Sequence, residues 1–333
     1  MDNAQLDAIL ESVLPRYDMR VHGIAPLDAH TCLVDSDRGV KRLRIDTEAR
    51  NVSKRHELWE HLAKNGFRRV PRHIRTLHGD PWVEVNDTHY TMADEWEGRV
   101  PQMSAVDMRL AGRNLARLHR AAKGLTLSDD LALPMRHGTW LNRFSKAGEE
   151  LALRQAQWEG MRDHNPLQQT FLQHYDWIAE QINGAVNGLV EGQYEQAARQ
   201  AQEERAFAVG DYRLSDLRID PAGRVATLYV DDAVADIPLY DAAKFAHGLL
   251  ERGENELATM FLDAYAEEAG LHQGDVMILE AYFNFPHAAY RHLTQYIRLK
   301  KGADTFAKRL EQAVATAQER KPILYGADSI RWT

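Results

Sequence analysis

The chain has 333 residues, of which 44% are hydrophobic and 27% are charged, and its 41 basic and 49 acidic side chains give a net charge of −8. This composition is ordinary for a globular protein with one large core or two modest ones, and the negative charge argues against nucleic acid as a main partner. The single cysteine, Cys32, excludes an internal disulfide and a cysteine-based metal site. No apolar run approaches the length that spans a bilayer and the N-terminus has no signal-peptide layout, so we expect cytoplasmic synthesis and no membrane insertion.

The N-terminal part of the chain predicts a small antiparallel sheet combined with two helices. Apolar residues at helical spacing predict a first helix over Asn3–Leu14 and a second over Glu48–Asn65. Between and after these helices, short alternating runs favour strands at 19–27, 30–36, 39–46, 81–85 and 89–93. Basic residues cluster between Arg38 and Arg75, and this stretch is either a solvated face or a patch for an acidic protein partner or polyphosphate.

The rest of the chain is predicted to be mainly helical. The helical period covers residues 104–123, 140–153, 167–190, 193–204, 254–269, 275–299 and 304–320, and a further helix begins near Pro238. Aromatic residues from Trp140 to Trp177 recur at roughly helical spacing, which is typical of a helical core. The tail over 321–333 has no regular pattern.

One stretch within this helical part predicts a β-hairpin. Two short runs, Leu217–Asp220 and Arg224–Val230, are joined by a Pro-Ala-Gly turn sequence. Four aspartates flank the hairpin, namely Asp211, Asp216, Asp231 and Asp232. Because a hairpin folds its two ends onto the same side, we expect these carboxylates to converge. Clustered carboxylates are costly unless a cation or hydrogen-bond donors compensate them, so the hairpin predicts a functional site.

The spacing of these aspartates resembles the catalytic core of the aminoglycoside-phosphotransferase-like branch of the protein-kinase fold. The family pattern is His-Gly-Asp, four residues, Asn, a hairpin and then Asp-Phe-Asp or Asp-Phe-Glu. The segment Leu115–His119 is similar to the Leu-Ala-x-Leu-His signature of the same family. The segment Leu279–His287 is similar to a run found in the spore coat protein S (CotS) family, which the chain resembles over nearly its whole length.

This resemblance implies a two-lobed α+β fold of the kinase type. It implies an antiparallel-sheet N-lobe over residues 1–97 and a mostly helical C-lobe over 98–333 that carries the catalytic-loop hairpin at 206–232. It further implies a catalytic role for Asp211 and a Mg²⁺-ligand role for Asp216 and for Asp231 or Asp232, without deciding which of the last two faces the cleft. The positions that it assigns to the nucleotide cleft are Arg44, with Glu57 as its helix partner, and the hinge residues Asp94 and Trp96.

Three departures from the family pattern predict impaired phosphoryl transfer. Val209 stands where the family has His, and Arg44 stands where it has the Lys that holds the phosphates. Lys41 is no substitute for that Lys, because an odd offset along a strand points it to the opposite face. The segment that should form a glycine-rich phosphate loop contains only Gly23. We therefore expect Arg44 or bulky side chains to fill part of the nucleotide space.

Two classes of function follow from the resemblance. The first is a catalytically impaired, kinase-fold component of the bacterial endospore coat, which needs no cofactor and docks on other spore coat proteins. Such a protein would be made in the cytoplasm of the mother cell and deposited in the coat. The alternative is a phosphotransferase that uses ATP and Mg²⁺ on a hydroxylated or choline-like substrate.

Overall fold

A five-stranded antiparallel sheet forms the N-terminal part of the computed structural model, which describes residues 3–319. Its strands lie in the order β1-β2-β3-β5-β4, where β1 is Val21–Pro26, β2 Thr31–Ser36, β3 Lys41–Asp46, β4 Val83–Val85 and β5 Thr88–Asp94. Asn86 and Asp87 have φ of 51° and 58°, the left-handed conformation that a tight hairpin between β4 and β5 requires. The five predicted strands are confirmed, while the predicted irregular tail over 321–333 lies outside the described residues.

Alternation along β3 separates an apolar face of the sheet from a polar one. Lys41, Leu43 and Ile45 are buried, whereas Arg44 and Asp46 are half-buried. The buried face packs against apolar residues from the N-terminal helix and from the other strands, which include Ile9, Val13, Val34, Tyr90 and Met92. Arg44 and Asp46 therefore project from the face opposite to this core.

Two helices accompany the sheet, and the first is less regular than the sequence predicts. Helix α1 is α-helical only over Asn3–Ala8; it continues as a π-helical turn over Ile9–Val13 and a 3-10 turn over Leu14–Arg16. Helix α2 covers Ala49–Lys64 and buries one stripe of side chains, namely Val52, Arg55, Leu58, Trp59, Leu62 and Ala63. An arginine within this otherwise apolar stripe marks a buried charge that needs a partner.

The remaining helices are α3 Ala105–Ala121, α4 Thr139–Glu159, α5 Pro166–Glu191, α6 Tyr194–Glu203, α7 Leu239–Leu250, α8 Asn255–Ala269, α9 Gln273–Asn284, α10 His287–Leu299 and α11 Ala303–Gln318. Helix α5 begins with a capping box between Asn165 and Gln168 and has a proline in its first turn. The single helix predicted over 275–299 is wrong, because the chain breaks between α9 and α10 at Phe285 and Pro286. A proline lacks the N–H and clashes with the preceding turn, so it ends the helix.

The predicted hairpin is present and is shorter than expected. Its strands are β6 Leu217–Ile219 and β7 Val225–Thr227, paired in antiparallel register. The predicted second run extends to Val230, but the strand ends at Thr227, and the last bond in its register runs from the Leu228 N–H to the Asp216 carbonyl at 2.8 Å. The predicted fold class, an antiparallel N-terminal sheet followed by a mostly helical C-terminal part, is confirmed.

The chain divides into two compact units. The first comprises the residues up to Gln102 together with Arg117–Pro134 and Val209–Val234, so it contains both the sheet and the hairpin. The second comprises Met103–Ala116, Met135–Ala208 and the helices from Ala235 onwards. The lobe boundary at residue 97 stays a prediction.

The second unit is built around α5. This helix packs against α4, α9 and α11. Of the aromatic residues predicted to form a helical core, Trp140, Phe144, Trp158 and Phe171 are buried, and the Trp140 ring stacks on Tyr194. In the part of the chain that the structure describes, no helix combines the length and the apolar character needed to cross a membrane.

Candidate functional site

A close backbone approach inside the first unit brings the two ends of the hairpin together. Gly210 has φ of +87°, and a Cβ at this position would collide with the backbone carbonyl of Asp232. Only glycine combines this conformation with so near a neighbour. The peptide that carries Asp211 therefore passes directly against Asp232, as the hairpin geometry predicts.

Asp231 is bound by two arginines from the sheet and its helix. Its Oδ2 accepts a hydrogen bond from Arg44 Nη2 at 2.6 Å and another from Arg55 Nη1 at 3.0 Å. The Arg55 Nη2 donates to Asp46 Oδ2 at 2.6 Å, and Arg44 Nε lies 3.6 Å from the same oxygen. These four side chains, Arg44, Asp46, Arg55 and Asp231, form a closed ring of alternating charge, which we call the arginine–aspartate ring.

Three members of the arginine–aspartate ring are largely removed from water, while the Arg44 side chain is 33% exposed. The side chain of Arg55 is 4% exposed, and those of Asp46 and Asp231 are 13% and 17% exposed. Burial opposes the charge on Arg55, but the carboxylates of Asp231 and Asp46 outweigh it and raise the pKa of the guanidinium. Lys54 adds a further cation, because its Nζ donates to the backbone carbonyl of Asp231 at 3.3 Å.

Asp211, the predicted catalytic residue, is paired with an arginine. Arg213 Nη2 donates to Asp211 Oδ2, and the same nitrogen lies 3.8 Å from Asp232 Oδ2. Arg213 is 53% exposed and Asp232 is 47% exposed, so this second cluster faces solvent more than the arginine–aspartate ring does. A cation of the chain itself therefore lies between the two carboxylates.

Asp216 directly precedes β6 and is close enough to Arg213 and Asp232 for their charges to act on it. Its Oδ1 accepts from Ser215 Oγ at 3.2 Å, whereas its Oδ2 is buried without a hydrogen-bond partner. Burial raises the pKa of Asp216. Asp231 Oδ1 is likewise buried without a partner. Among the residues described, no group of three or more His, Cys, Asp or Glu side chains is arranged to hold a metal ion.

The helix partner predicted for Arg44 is wrong. Glu57 accepts hydrogen bonds from the Ser128 backbone N–H at 2.8 Å and from its hydroxyl, and it makes no bond to Arg44. Residues two apart on an α-helix point about 200° apart, so Glu57 and Arg55 cannot face the same way. Helix α2 therefore presents a cation, Arg55, where a carboxylate was expected.

The two predicted hinge residues make contacts of their own. Asp94 accepts from Lys41 Nζ at 2.6 Å. The Trp96 ring lies under the guanidinium of Arg69, 5.1 Å from its centroid, and the indole Nε1 is buried without a hydrogen-bond partner. Arg69 in turn donates to Asp220 Oδ2 at 2.9 Å in the turn of the hairpin. The hinge aromatic is thus covered by an arginine fixed to the hairpin.

The structure brings Asp211, Asp231 and Asp232 into two arginine-bound clusters that sequence analysis did not foresee. The cationic members Arg55 and Arg213 were missed, as was Asp46. The signal for Arg55 was present, because it occupies an apolar-stripe position of α2 between Val52 and Trp59. The only sequence signal for Arg213 is its position two residues after Asp211.

Comparison with known families and solved structures gives matches over nearly the whole chain. The family model described as "Spore coat putative kinase YutH" matches residues 13–326. Among solved structures, the chain is similar to an aminoglycoside phosphotransferase from Alicyclobacillus acidocaldarius, with a TM-score of 0.73 at 16% identity over 96% of this chain and 95% of that one. Among proteins with curated descriptions, none matches the sequence significantly.

Two further structures have the same fold at lower similarity. One is a spectinomycin phosphotransferase in complex with ADP and spectinomycin, with a TM-score of 0.56 at 11% identity over 96% of this chain and 99% of that one. The other is a microcompartment-associated aminopropanol kinase, with a TM-score of 0.52 at 15% identity over the full length of both chains. At such identities the likeness establishes the fold alone, and the predicted kinase-like fold is confirmed.

Proposed function

The chain belongs to the family of spore coat kinase-like proteins described by the YutH model, and from this membership we propose that it is a kinase-fold component of the spore coat without efficient phosphoryl transfer. In this proposal it is made in the cytoplasm of the mother cell and is deposited in the coat by docking on other coat proteins. Neither nucleic acid nor a membrane is a partner.

The observation that carries the proposal is the binding of Asp231 by Arg44 and Arg55 at 2.6 and 3.0 Å. By resemblance, Asp231 lies in the motif that supplies a Mg²⁺ ligand in active members of the fold. Breaking a buried ion pair by withdrawing one partner costs about 3–5 kcal/mol. A ligand that required Asp231 Oδ2 would have to offset that cost, which weakens its binding by about a thousandfold.

The charges around the arginine–aspartate ring do not fit ATP and Mg²⁺ in the way that the fold implies. Arg44 stands in the place of the phosphate-binding Lys, yet its guanidinium is already bound to Asp231 and close to Asp46. An arginine fork also cannot reproduce the compact charge of an ammonium group. Asp211 is engaged by Arg213, so the carboxylate that would orient an acceptor hydroxyl is itself compensated. Positive charge that a metal ion would supply is instead supplied by the chain.

One observation favours the second candidate, a small-molecule phosphotransferase. Asp216 Oδ2 and Asp231 Oδ1 are both buried without hydrogen-bond partners, and both residues stand at positions that the resemblance assigns to Mg²⁺. Carboxylate oxygens are the ligands that Mg²⁺ prefers. Asp231 Oδ1 could act in that way while Oδ2 keeps its two arginines, but the Mg²⁺ would then lie close to two guanidinium groups.

A thermal-shift titration with ATP and Mg²⁺ separates the two candidates. A ligand at about a hundred times its Kd stabilises the folded state by roughly 2.7 kcal/mol, which raises the unfolding temperature by about 4 °C for a chain of this length. We expect no shift at millimolar ATP and no release of phosphate above the rate in buffer.

Two variants make the titration decisive. A shift that persists in Asp87→Asn, which alters only the exposed turn between β4 and β5, and disappears in Asp231→Ala would establish nucleotide binding at this site and overturn the proposal. Circular dichroism of both variants verifies that each is folded. The absence of a thermal shift in the wild type would exclude the phosphotransferase as the function.

A further inference from the structure

Both edges of the hairpin are bonded to segments from the N-terminal part of the first unit. Along β6, the Ile219 N–H donates to the Arg99 carbonyl at 2.8 Å, and the Arg99 N–H donates to the Ile219 carbonyl at 3.0 Å. Along β7, the Thr227 N–H donates to the Arg69 carbonyl at 3.0 Å. Because β6 and β7 also pair with each other, backbone hydrogen bonds connect the hairpin on both sides to the segments around residues 69 and 99.

The side chain of Arg69 adds contacts to the turn of the hairpin. Its Nη2 donates to Asp220 Oδ2 at 2.9 Å and to the Arg224 carbonyl at 3.4 Å, and its Nε donates to the Val225 carbonyl at 3.2 Å. The Arg69 side chain is 28% exposed and that of Asp220 is 11% exposed. A partly buried ion pair whose cation also donates to backbone carbonyls is fixed in geometry, unlike an isolated ion pair on the surface.

Asp220, the carboxylate that Arg69 binds, organises the turn. Its Oδ1 accepts hydrogen bonds from the backbone N–H groups of Ala222 and Arg224 at 3.0 and 2.8 Å. Its Oδ2 accepts a further bond from Arg224 Nε at 2.8 Å. An aspartate that accepts from the backbone two residues further on forms an Asx-turn, so Arg69 is attached to a well-defined part of the hairpin.

The predicted hinge segment is the other partner of Arg69. The guanidinium lies over the ring of Trp96, 5.1 Å from its centroid. Two residues later, Gly98 has φ of +140°, and a Cβ at this position would lie 2.6 Å from the carbonyl oxygen of Ile219. Only glycine allows the hinge segment and β6 to approach so closely. Arg69 therefore contacts the hinge with the face of its guanidinium and the hairpin with its nitrogens.

We propose that Arg69 is a latch that fastens the hairpin to the hinge segment and to the segment that follows α2, so that the three move as one body. Strand β7 leads directly towards Asp231, so fixing β7 also holds Asp231 against Arg44 and Arg55. The latch holds the hairpin at its turn, and the arginine–aspartate ring holds the chain that leaves its second strand. A ligand that required the hairpin to move away from α2 would have to break both attachments.

This inference goes beyond the proposed function, because it concerns the mobility of the hairpin and holds whether or not the protein transfers phosphate. Its test needs no nucleotide. The latch can therefore fail its test while the thermal-shift titration supports the proposed function, and the reverse.

Hydrogen exchange measured by mass spectrometry on the full chain tests the latch. Arg69→Met removes the charge and the three side-chain hydrogen bonds and keeps a long side chain and the backbone carbonyl. The loss of one hydrogen bond to a charged group is enough to shift a local opening equilibrium by about tenfold. We therefore expect the peptides that contain Ile219, Thr227 and the hinge segment to exchange about tenfold faster than in the wild type. Helix α5, in the second unit, should exchange at the wild-type rate.

Arg68→Met is the matched control. Arg68 directly precedes Arg69, is exposed, and has no ion pair or hydrogen bond in the described part of the chain, so its exchange pattern should match the wild type. Arg69→Lys keeps the charge without the planar fork of donors, so its hairpin should exchange at a rate between those of the wild type and Arg69→Met.

Asp220→Asn removes the charge that Arg69 binds, and it should also accelerate exchange in the hairpin and the hinge segment. It decides the outcome if Arg69→Met fails to fold. Exchange at the wild-type rate in the hairpin of these variants would overturn the proposal, because Arg69 would then fasten nothing. Equal acceleration in α5 and in the hairpin would overturn it as well, because the whole chain would then be less stable and no local latch would have been released.

Discussion

Removing Arg55 should destabilise the protein far more than removing an arginine from a surface ion pair. In Arg55→Met the carboxylates of Asp46 and Asp231 remain buried with Arg44 as their only arginine partner. Arg55 makes a hydrogen bond to each of them at 2.6 and 3.0 Å, and a hydrogen bond to a charged group contributes about 1.5–3 kcal/mol. The expected loss is therefore about 3–5 kcal/mol, which is also the usual cost of leaving a buried charge uncompensated.

Urea denaturation measures this loss directly. With a slope of about 3 kcal/mol per molar urea, a loss of 4 kcal/mol lowers the midpoint by about 1.3 M. Arg72→Met is the matched control, because Arg72 also binds a carboxylate through two nitrogens, Glu60 at 2.9 and 2.7 Å, but is 57% exposed. An exposed pair contributes about 0.2–1 kcal/mol, so the control should move the midpoint little.

A double variant tests whether the cost arises from the buried charge. Adding Asp231→Asn to Arg55→Met removes one of the two stranded carboxylates, so the pair of changes should cost about 1–3 kcal/mol less than the sum of the single changes. If Arg55→Met behaves like Arg72→Met, or if the two losses simply add, the arginine–aspartate ring does not stabilise the fold and the reasoning is refuted.

Two further predictions concern other parts of the first unit. Burial lowers the pKa of His73 to about 3, while the unfolded chain takes up a proton near pH 6.5, so the free energy of unfolding should fall as the pH drops below 6.5, by roughly 1.4 kcal/mol at pH 5.5. In His73→Gln, urea titrations at several pH values should show a flatter profile; an unchanged profile contradicts the assignment. Gly210→Ala forces a Cβ into the Asp232 carbonyl and should abolish soluble expression or cost several kcal/mol, whereas Gly223→Ala, with φ of +75° and open space, should cost about 1–2 kcal/mol in thermal unfolding. Equal effects of the two glycine changes would show that the close approach is unimportant.

The sequence predicts the positions of the strands and the meeting of the hairpin ends, because both depend on local chemistry. Alternation marks β1 to β5, and the Pro-Ala-Gly turn together with Gly210-Asp211 marks the hairpin. The break at Pro286 was also within reach of local rules, since proline ends helices, and it was overlooked in favour of the apolar period on both sides.

The cations that compensate the hairpin aspartates could not be predicted in the same way. Arg55 and Asp231 are 176 residues apart in the chain, so no local pattern connects them. The partner expected for Arg44 was a carboxylate on α2, and this expectation assigned importance to Glu57 because of its charge. The angular position on the helix decides instead which side chain of α2 is buried, since the buried stripe of α2 contains Arg55 and excludes Glu57.

The effect of having arginine at position 44, in place of the family's lysine, depends on the residue at position 55. A lone arginine in place of lysine keeps the positive charge beside Asp46 and Asp231, and such a change alone leaves room for a metal ion to compensate the remaining negative charge. With Arg55 also present, two guanidinium groups face two carboxylates and the arginine–aspartate ring has no net charge. A divalent cation placed there would meet two positive charges, of which Arg55, at 4% exposure, is the more deeply buried and Arg44 is 33% exposed. In the function that we propose, the impairment of nucleotide chemistry therefore depends on the pair of arginines, and neither one alone is sufficient.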